Sequence, residues 1–172
     1  VYGASKAACE NLIYAYSKLY GVKAVILRYA NVVGSRLRHG VIYDFICKLR
    51  RNSRELEILG DGRQVRSYIY IDDAIEATLL AYRSVYKGLN VYNVGNEDWI
   101  TVRKIAEILT DMLNLRNVRY KFKPIAHGVG WLGDVKRIVL DINKLKNMKF
   151  RPRYCSEEAV RITINALLKE CK

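Results

Sequence analysis

The sequence has few of the residues that build metal sites and disulfide frameworks. It contains two histidines, His39 and His127, far apart along the chain, and four cysteines without any Cys-x-x-Cys spacing. Metal sites of cysteine and histidine need ligands at short, regular spacings. We therefore expect no metal, and we interpret the cysteines as reduced thiols. The four are Cys9, Cys47, Cys155 and Cys171.

Long hydrophobic segments are also absent. No apolar run reaches the length of about 18 residues that a membrane-spanning helix needs. The first residues, VYGASKAACE, lack the order of charged, apolar and small residues that marks a secretory signal. These absences predict a cytoplasmic protein that neither enters a membrane nor is secreted.

Acidic residues are scarce relative to basic ones. Lysine and arginine total 30 against 17 aspartates and glutamates, which gives a net charge of +13. The cations are spread over the whole chain, and no zinc finger, RNP aromatic motif or basic zipper accompanies them, so we expect no nucleic-acid partner. A solvated basic surface is the favoured interpretation. The alternative is that part of the charge faces a small anion such as a diphosphate.

Helical and strand-like patterns alternate along the chain. Apolar residues at helical spacing predict a helix over 3–20 that Gly21 closes, and the nearly continuous apolar run 23–29 is typical of a buried parallel strand. Asp72, Thr101 and Ser156 stand where each can cap a following helix. We expect a polar loop at 31–40, further helices at 41–51, 72–85, 101–114, 142–147 and 156–170, and strands at 55–60, 67–71, 90–95, 118–122 and 138–141.

Tyr2 and Lys6 form a pair one helical turn apart. Residues at this spacing share a helix face, so the lysine ammonium can lie near the phenol oxygen and favour the tyrosinate, a usable acid or base. The spacing alone is also typical of an ordinary contact between two residues on a helix surface. The surrounding motifs change this balance.

Five motifs in order carry a resemblance to a known family. They are YGASKAA at 2–8, LRYANVVGSR at 27–36, ILGDGRQVRSYIYIDDAIEA at 58–77, YNVGNED at 92–98 and GDVKRIVLD at 133–141. Together they resemble the C-terminal half of an extended short-chain dehydrogenase/reductase. The chain is most similar to the NAD-dependent nucleotide-sugar epimerases and dehydratases, and closest to UDP-glucose 4-epimerase-like proteins.

The resemblance implies an enzyme that epimerises a nucleotide sugar by transient oxidation at C4 with bound NAD. Tyr2 would take the proton from the sugar 4-hydroxyl, and Lys6 would bind the nicotinamide ribose and hold the phenolate. Tyr29 and Ala30 would meet the nicotinamide. Asn31, at the end of a strand where open α/β sheets bind ligands, would contact the substrate.

The nucleotide itself would lie farther along the chain. The resemblance assigns the diphosphate to Arg66, whose planar guanidinium suits a phosphate, and the ribose hydroxyls to Asp134. Ile58 and Leu59 fall where the family lines the uracil pocket, although a buried strand explains them equally well. Val41, Ile42 and Phe45 would line the substrate lobe, although a stripe at helical spacing fits a plain core at least as well. Trp131 stands where many members have a second diphosphate-binding arginine.

The family's glycine-rich turn for the dinucleotide pyrophosphate is not found in this sequence. GVGWLG at 128–133 has glycines, but it lacks both the preceding buried strand and the following long helix that such a turn requires. We therefore expect an α/β fold that comprises the C-terminal part of a Rossmann-type parallel sheet, at 1–35 and 66–96, and a smaller substrate-binding lobe, at 36–65 and 97–172. A chain of this kind would be inactive or very weak by itself.

Two other functions stay open. One is a nucleotide-sugar 4,6-dehydratase of the same family, and the other is a non-catalytic module that binds a nucleotide sugar. In either case the expected ligand is a UDP-sugar or a related nucleotide sugar. The resemblance also implies a homodimer formed through the first helix.

Overall fold

The alternation of helices and strands is present in the computed structural model, which describes residues 1–85 and 88–170. In chain order the helices are α1 (Tyr2–Tyr20), α2 (Gly40–Arg51), α3 (Ile71–Arg83), α4 (Val102–Met112), α5 (Asn143–Asn147) and α6 (Ser156–Glu170). The strands are β1 (Ala24–Tyr29), β2 (Asn31–Val33), β3 (Glu55–Leu59), β4 (Val65–Arg66), β5 (Tyr68–Tyr70), β6 (Leu89–Val94), β7 (Ile100–Thr101), β8 (Arg119–Lys123) and β9 (Arg137–Ile138). A short 3-10 helix covers Ala126–Gly128.

Two of the predicted helix ends are confirmed by their local chemistry. Gly21 follows α1 with a φ of 67°, in the left-handed region where glycine is favoured. Thr101 precedes α4, and its hydroxyl accepts a hydrogen bond from the Lys104 amide at 3.1 Å. Both signals are local in the sequence, which is why the sequence suffices to find them.

Three local predictions are wrong. Asp72 does not cap α3, because the helix begins at Ile71 and Asp72 lies in its first turn, where a carboxylate still favours the helix dipole. The predicted bounds of α6, 156–170, are confirmed, but Ser156 does not cap the helix, because its hydroxyl accepts from the Tyr68 amide and donates to the Asp98 carboxylate. Asn31 does not open a loop, since 31–33 forms β2 and pairs with β5.

The strands pair mainly in parallel. β1 pairs with β6 along its whole length, from Ala24 opposite Leu89 to Tyr29 opposite Val94. The chain then changes partner at Ala30, whose amide donates to the Val94 carbonyl at 2.7 Å, and β2 continues beside β5. β3 pairs in parallel with β8, while β4 lies between antiparallel β7 and parallel β9. The expected α/β class is therefore confirmed.

The apolar side chains form two cores. The larger core joins α2, β3, α4 and α6, and its fully buried members include Phe45, Leu56 and Leu109. The smaller core packs α3 and β6 against Leu145 and Phe150. The division of the chain into a sheet part and a substrate lobe at the boundaries given above stays a prediction.

The helix α1 lies at the edge of the fold. It contacts β1 and β6, but Ser17 is its single buried residue. Leu12 and Leu19, seven positions apart and so on one face, are 61% and 75% exposed. Exposed leucines on one helix face form an apolar surface that can pack against another protein surface.

Among residues 1–85 and 88–170 no helix combines the length and the hydropathy needed to cross a bilayer. The cytoplasmic location stays a prediction. Cys9, Cys47 and Cys155 are free thiols, as expected, and Cys171 lies outside the described residues.

Buried hydrogen bonds fix the position of β5. The side-chain amide of Asn96, 7% exposed, donates to the carbonyls of Tyr68 at 3.0 Å and Tyr154 at 2.7 Å. On the other side, the buried Ser156 hydroxyl accepts from the Tyr68 amide at 3.0 Å. β5 is thus tied both to the loop after β6 and to the start of α6.

We expect Asn96→Ala to lower the free energy of unfolding by about 2 kcal/mol, because the Tyr68 and Tyr154 carbonyls would each lose a hydrogen-bond donor. Urea denaturation followed by circular dichroism measures this change. The matched control is Asn165→Ala at an exposed position of α6, which should be neutral or slightly stabilising because alanine favours the helix. Equal stability of the two variants would show that the Asn96 hydrogen bonds contribute little.

Candidate functional site

A cavity of about 930 Å³ opens beside the end of β2. Its walls are β2 and the following loop 34–39, the first turns of α2, the strand β4 with Tyr68, and the segment that carries Trp131 and Asp134. Six residues expected from the sequence to bind cofactor or substrate line this cavity. They are Ala30, Asn31, Val41, Leu59, Arg66 and Asp134.

Four other expected residues are not among the cavity-lining residues that the structure describes. Ile58 has no exposed surface and belongs to the larger core, whereas the next residue, Leu59, is 44% exposed and faces the cavity. The other three are Tyr2, Lys6 and Tyr29, which lie on α1 and at the end of β1.

Tyr2 and Lys6 come together on the first turns of α1. The Lys6 Nζ lies 5.5 Å from the centroid of the Tyr2 ring, so the ammonium approaches the face of the ring. Tyr2 is 76% exposed. Both side chains are therefore available to a ligand or to another protein surface that would cover them.

The end of β1 is rigidly held. The Tyr29 hydroxyl is hydrogen-bonded to the Thr78 hydroxyl of α3 at 2.6 Å. Ala30 packs against Gly95, where an added Cβ would lie 2.8 Å from the Ala30 Cβ. The strand β1 and the loop after β6 can approach this closely because position 95 has no side chain.

Arg66 and Asp134 form an ion pair in the cavity wall. The Arg66 Nη2 lies 2.7 Å from the Asp134 Oδ1, and the Arg66 Nη1 donates to the Val65 carbonyl at 2.9 Å. The other carboxylate oxygen, Oδ2, accepts from the Gly130 amide at 3.1 Å. The side chain of Arg66 is 13% exposed and that of Asp134 is 1% exposed, so the guanidinium is held in one place at the cavity surface.

Gln64 is a cavity residue that sequence reasoning did not identify. It is buried, and its Nε2 donates to the Leu59 carbonyl at 3.1 Å. Its Oε1 is the one buried side-chain oxygen without a partner among the described residues. Gly60 accommodates this amide, since an added Cβ there would lie 1.7 Å from the Gln64 Nε2. It is the single glutamine of the chain, but no local pattern marks it as functional.

Tyr68 also lines the cavity. Burial raises the pKa of its phenol far above the ordinary value, while the nearby Arg66 cation opposes that rise. The phenol is therefore neutral over the whole physiological range. A neutral hydroxyl can donate a hydrogen bond but carries no charge that would repel an anion.

The loop 34–39 gives the cavity a basic rim. It contributes Arg36, Arg38 and His39 to the lining. Glu170, at the end of α6, accepts from the Arg36 amide at 2.9 Å and pairs with Arg38 at 3.4 Å. Arg36 and Glu170 are 134 positions apart in the sequence, so the sequence could not indicate that they are hydrogen-bonded.

The electrostatic character of the cavity suits an anionic ligand. Its cations outnumber its anions, which are Asp44 and Asp134, and a planar guanidinium can bind a phosphate through two parallel hydrogen bonds. Leu59, Val41 and Trp131 supply apolar and aromatic surface beside these charges. No group of three potential metal-ligating side chains exists within the described ranges.

Comparison with known proteins gives this cavity a context. The model of the NAD dependent epimerase/dehydratase family matches residues 1–95. A relative from Methanocaldococcus jannaschii, described as a putative UDP-glucose 4-epimerase, is 33% identical over 168 residues, which are 95% of this chain and 52% of the relative.

Solved structures agree with this result. A crystal structure of a UDP-galactose 4-epimerase superposes with a TM-score of 0.86 at 43% identity, over 99% of this chain and 54% of that one. The Thermus thermophilus UDP-glucose 4-epimerase, solved with NAD, gives a TM-score of 0.78 at 31% identity, over 97% of this chain and 53% of that one.

The chain thus has the fold of part of these Rossmann-type epimerases and spans about half the length of the relatives it matches. NAD is the cofactor of the matching proteins. From the family match over more than half of its residues, and from the shared fold, it follows that this chain belongs to the NAD-dependent epimerase/dehydratase family.

Proposed function

We propose that this chain supplies the sugar-nucleotide half of a UDP-sugar 4-epimerase that interconverts UDP-glucose and UDP-galactose. The observation that supports this most is the cavity in which Asn31, Leu59, Arg66 and Asp134 meet, although they lie far apart in the sequence. The similarity to two epimerases of glucose and galactose nucleotides points to the same substrates.

The cavity offers a distinct chemical surface for each part of a UDP-sugar. The Arg66 guanidinium is suited to the diphosphate, because phosphate oxygens accept its paired N–H groups. Leu59 and Val41 offer apolar surface to the nucleoside. Asn31, at the edge next to β1, is the residue proposed to bind the sugar. In this proposal Leu59 lies at the nucleoside end of the substrate and Asn31 at the sugar end.

The residues of α1 and the end of β1 fit the nicotinamide end of NAD. We propose that Lys6 holds the nicotinamide ribose and that Tyr29 and Ala30 lie against the nicotinamide. The segment 128–133 does not fit the pyrophosphate, because it continues from a 3-10 helix rather than from a buried strand. Gly130 is also packed against Leu59, since a Cβ added to Gly130 would lie 3.0 Å from the Leu59 Cβ. By itself this chain would therefore bind NAD weakly and have very low activity.

The proposed proton transfer uses Tyr2 and Lys6. When bound, NAD supplies reversible oxidation at the sugar C4. Tyr2 takes the proton of the 4-hydroxyl and, after the sugar has turned, returns it to the same oxygen. The Lys6 ammonium lies 5.5 Å from the centroid of the Tyr2 ring, close enough to position the tyrosine for this transfer. The location proposed for this chemistry is the cytoplasm.

We expect Arg66→Ala to weaken the binding of UDP to this chain by at least about tenfold, because a charge-assisted hydrogen bond contributes about 1.5–3 kcal/mol. Isothermal titration calorimetry with UDP measures the dissociation constant. Arg161→Ala is the matched control, since Arg161 pairs with Glu157 on the surface of α6 and does not line the cavity. Equal weakening by both variants, or by neither, would contradict a diphosphate site at Arg66.

A non-catalytic nucleotide-sugar-binding module is the second candidate. One observation favours it: the cavity walls are built from this chain, whereas Tyr2 and Lys6 are exposed on α1 away from those walls. Binding of UDP-galactose without any NAD binding or epimerisation, even after addition of a glycine-turn domain from a relative, would favour the module. A nucleotide-sugar 4,6-dehydratase of the same family would instead release a 4-keto-6-deoxy product.

We propose that the exposed apolar face of α1 forms a homodimer. Sedimentation velocity should then show dimers, and the double variant Leu12→Glu with Leu19→Glu should be monomeric because charges would enter the apolar contact. Leu132→Glu is the control, because Leu132 is 89% exposed on a loop outside α1. A monomeric wild type, or a dimer unaffected by the double variant, would rule out this interface.

A further inference from the structure

The loop 34–39, between β2 and α2, forms one wall of the cavity. It follows directly on β2, whose first residue, Asn31, is the residue proposed to bind the sugar. The sugar end of a bound UDP-sugar would therefore lie beside this loop. Whatever holds the loop in place also sets the shape of that end of the cavity.

The loop has an uncommon backbone conformation at Arg36. Its φ is 61°, in the left-handed region that residues other than glycine seldom adopt. Gly34 packs against Ile71, since an added Cβ would lie 2.5 Å from the Ile71 Cγ2, and Leu37 packs against the larger core. Between these two apolar contacts, Ser35 and Arg36 are exposed. The exposed turn therefore depends on a polar contact to keep its conformation.

The Glu170 carboxylate supplies that contact. Its two oxygens accept from the Arg36 amide at 2.9 and 3.2 Å, and its Oε2 lies 3.4 Å from the Arg38 Nη2. The Arg38 guanidinium also lies over the Tyr43 ring, 5.9 Å from its centroid. Among residues 1–85 and 88–170, Glu170 is the one side chain that is hydrogen-bonded to the backbone of this loop.

Glu170 is itself mounted on a firmly packed helix. It is the last residue of α6, which is fixed in the larger core by four side chains without exposed surface. They are Ala159, Val160, Ile164 and Leu167. A carboxylate at the C-terminal end of a helix opposes the helix dipole, so this position does not favour α6. The contacts of Glu170 serve the loop instead.

We propose that Glu170 is a positioning residue, which acts on the sugar of the bound nucleotide sugar through the loop 34–39. This inference rests on the proposed function and deepens it. By accepting from the Arg36 amide, the carboxylate keeps the loop in the shape that lines the cavity before the ligand arrives. A loop that is already ordered loses less conformational freedom when the ligand binds.

Binding of UDP and of UDP-galactose separates this role from a general effect on the fold. Isothermal titration calorimetry of this chain measures both dissociation constants for the wild type, Glu170→Ala and Glu170→Gln. E170A should weaken UDP-galactose at least about fivefold but UDP less than about twofold, because UDP has no sugar beside the loop. E170Q keeps an oxygen for the Arg36 amide and should bind both ligands within about twofold of the wild type.

Glu157→Ala is the matched control, since Glu157 pairs with Arg161 on the surface of the same helix and should leave both affinities unchanged. Equal weakening of the two ligands by E170A, weakening of neither, or a loss in E170Q as large as in E170A would overturn the inference. Loss of the cooperative unfolding transition in E170A would also overturn it, because Glu170 would then be needed for the fold as a whole.

Amide hydrogen exchange measured by NMR without ligand tests the contact itself. The Arg36 amide should exchange at least about tenfold faster in E170A than in the wild type and in E170Q, because only E170A removes its acceptor. Equal rates in the three proteins would contradict the inference. A wild type that binds neither UDP nor UDP-galactose would refute the proposed function and the inference with it. A wild type that binds both, with E170A unchanged, would refute the inference alone.

Discussion

The architecture of the cavity depends on the buried hydrogen bonds that hold Tyr68. Its amide is bound by the Ser156 hydroxyl and its carbonyl by the Asn96 side chain. Because unpaired buried polar groups are costly, these bonds leave β5 a single position between β2 and α6. Arg66 in β4 is two residues away along the chain, so the same constraint sets where the guanidinium meets the cavity.

The sequence predicted the parts of the fold that are determined locally. The apolar run of β1, Gly21 after α1 and Thr101 before α4 are each recognised within a few residues. The structure differs where the cause is remote. β2 has three residues and exists because β5 pairs with it, and Ser156 is turned toward Tyr68, 88 positions away in the sequence. No local pattern carries this information.

The site was partly predictable for a similar reason. Motif positions indicated Asn31, Leu59, Arg66 and Asp134, and these residues do line one cavity. The motifs could not distinguish Ile58 from Leu59, although successive residues of a strand point to opposite faces and only one of the two can reach a ligand. They also assigned Arg66 to the diphosphate and Asp134 to the ribose, and did not indicate that the two side chains form an ion pair. Their contact spans 68 positions and emerges only from the paired strands β4 and β9.

The central claim is that this cavity binds a nucleoside diphosphate at Arg66. A crystal structure of this chain with UDP would test it most directly. The account predicts that the diphosphate oxygens accept hydrogen bonds from the Arg66 guanidinium. A diphosphate bound away from Arg66 would contradict it.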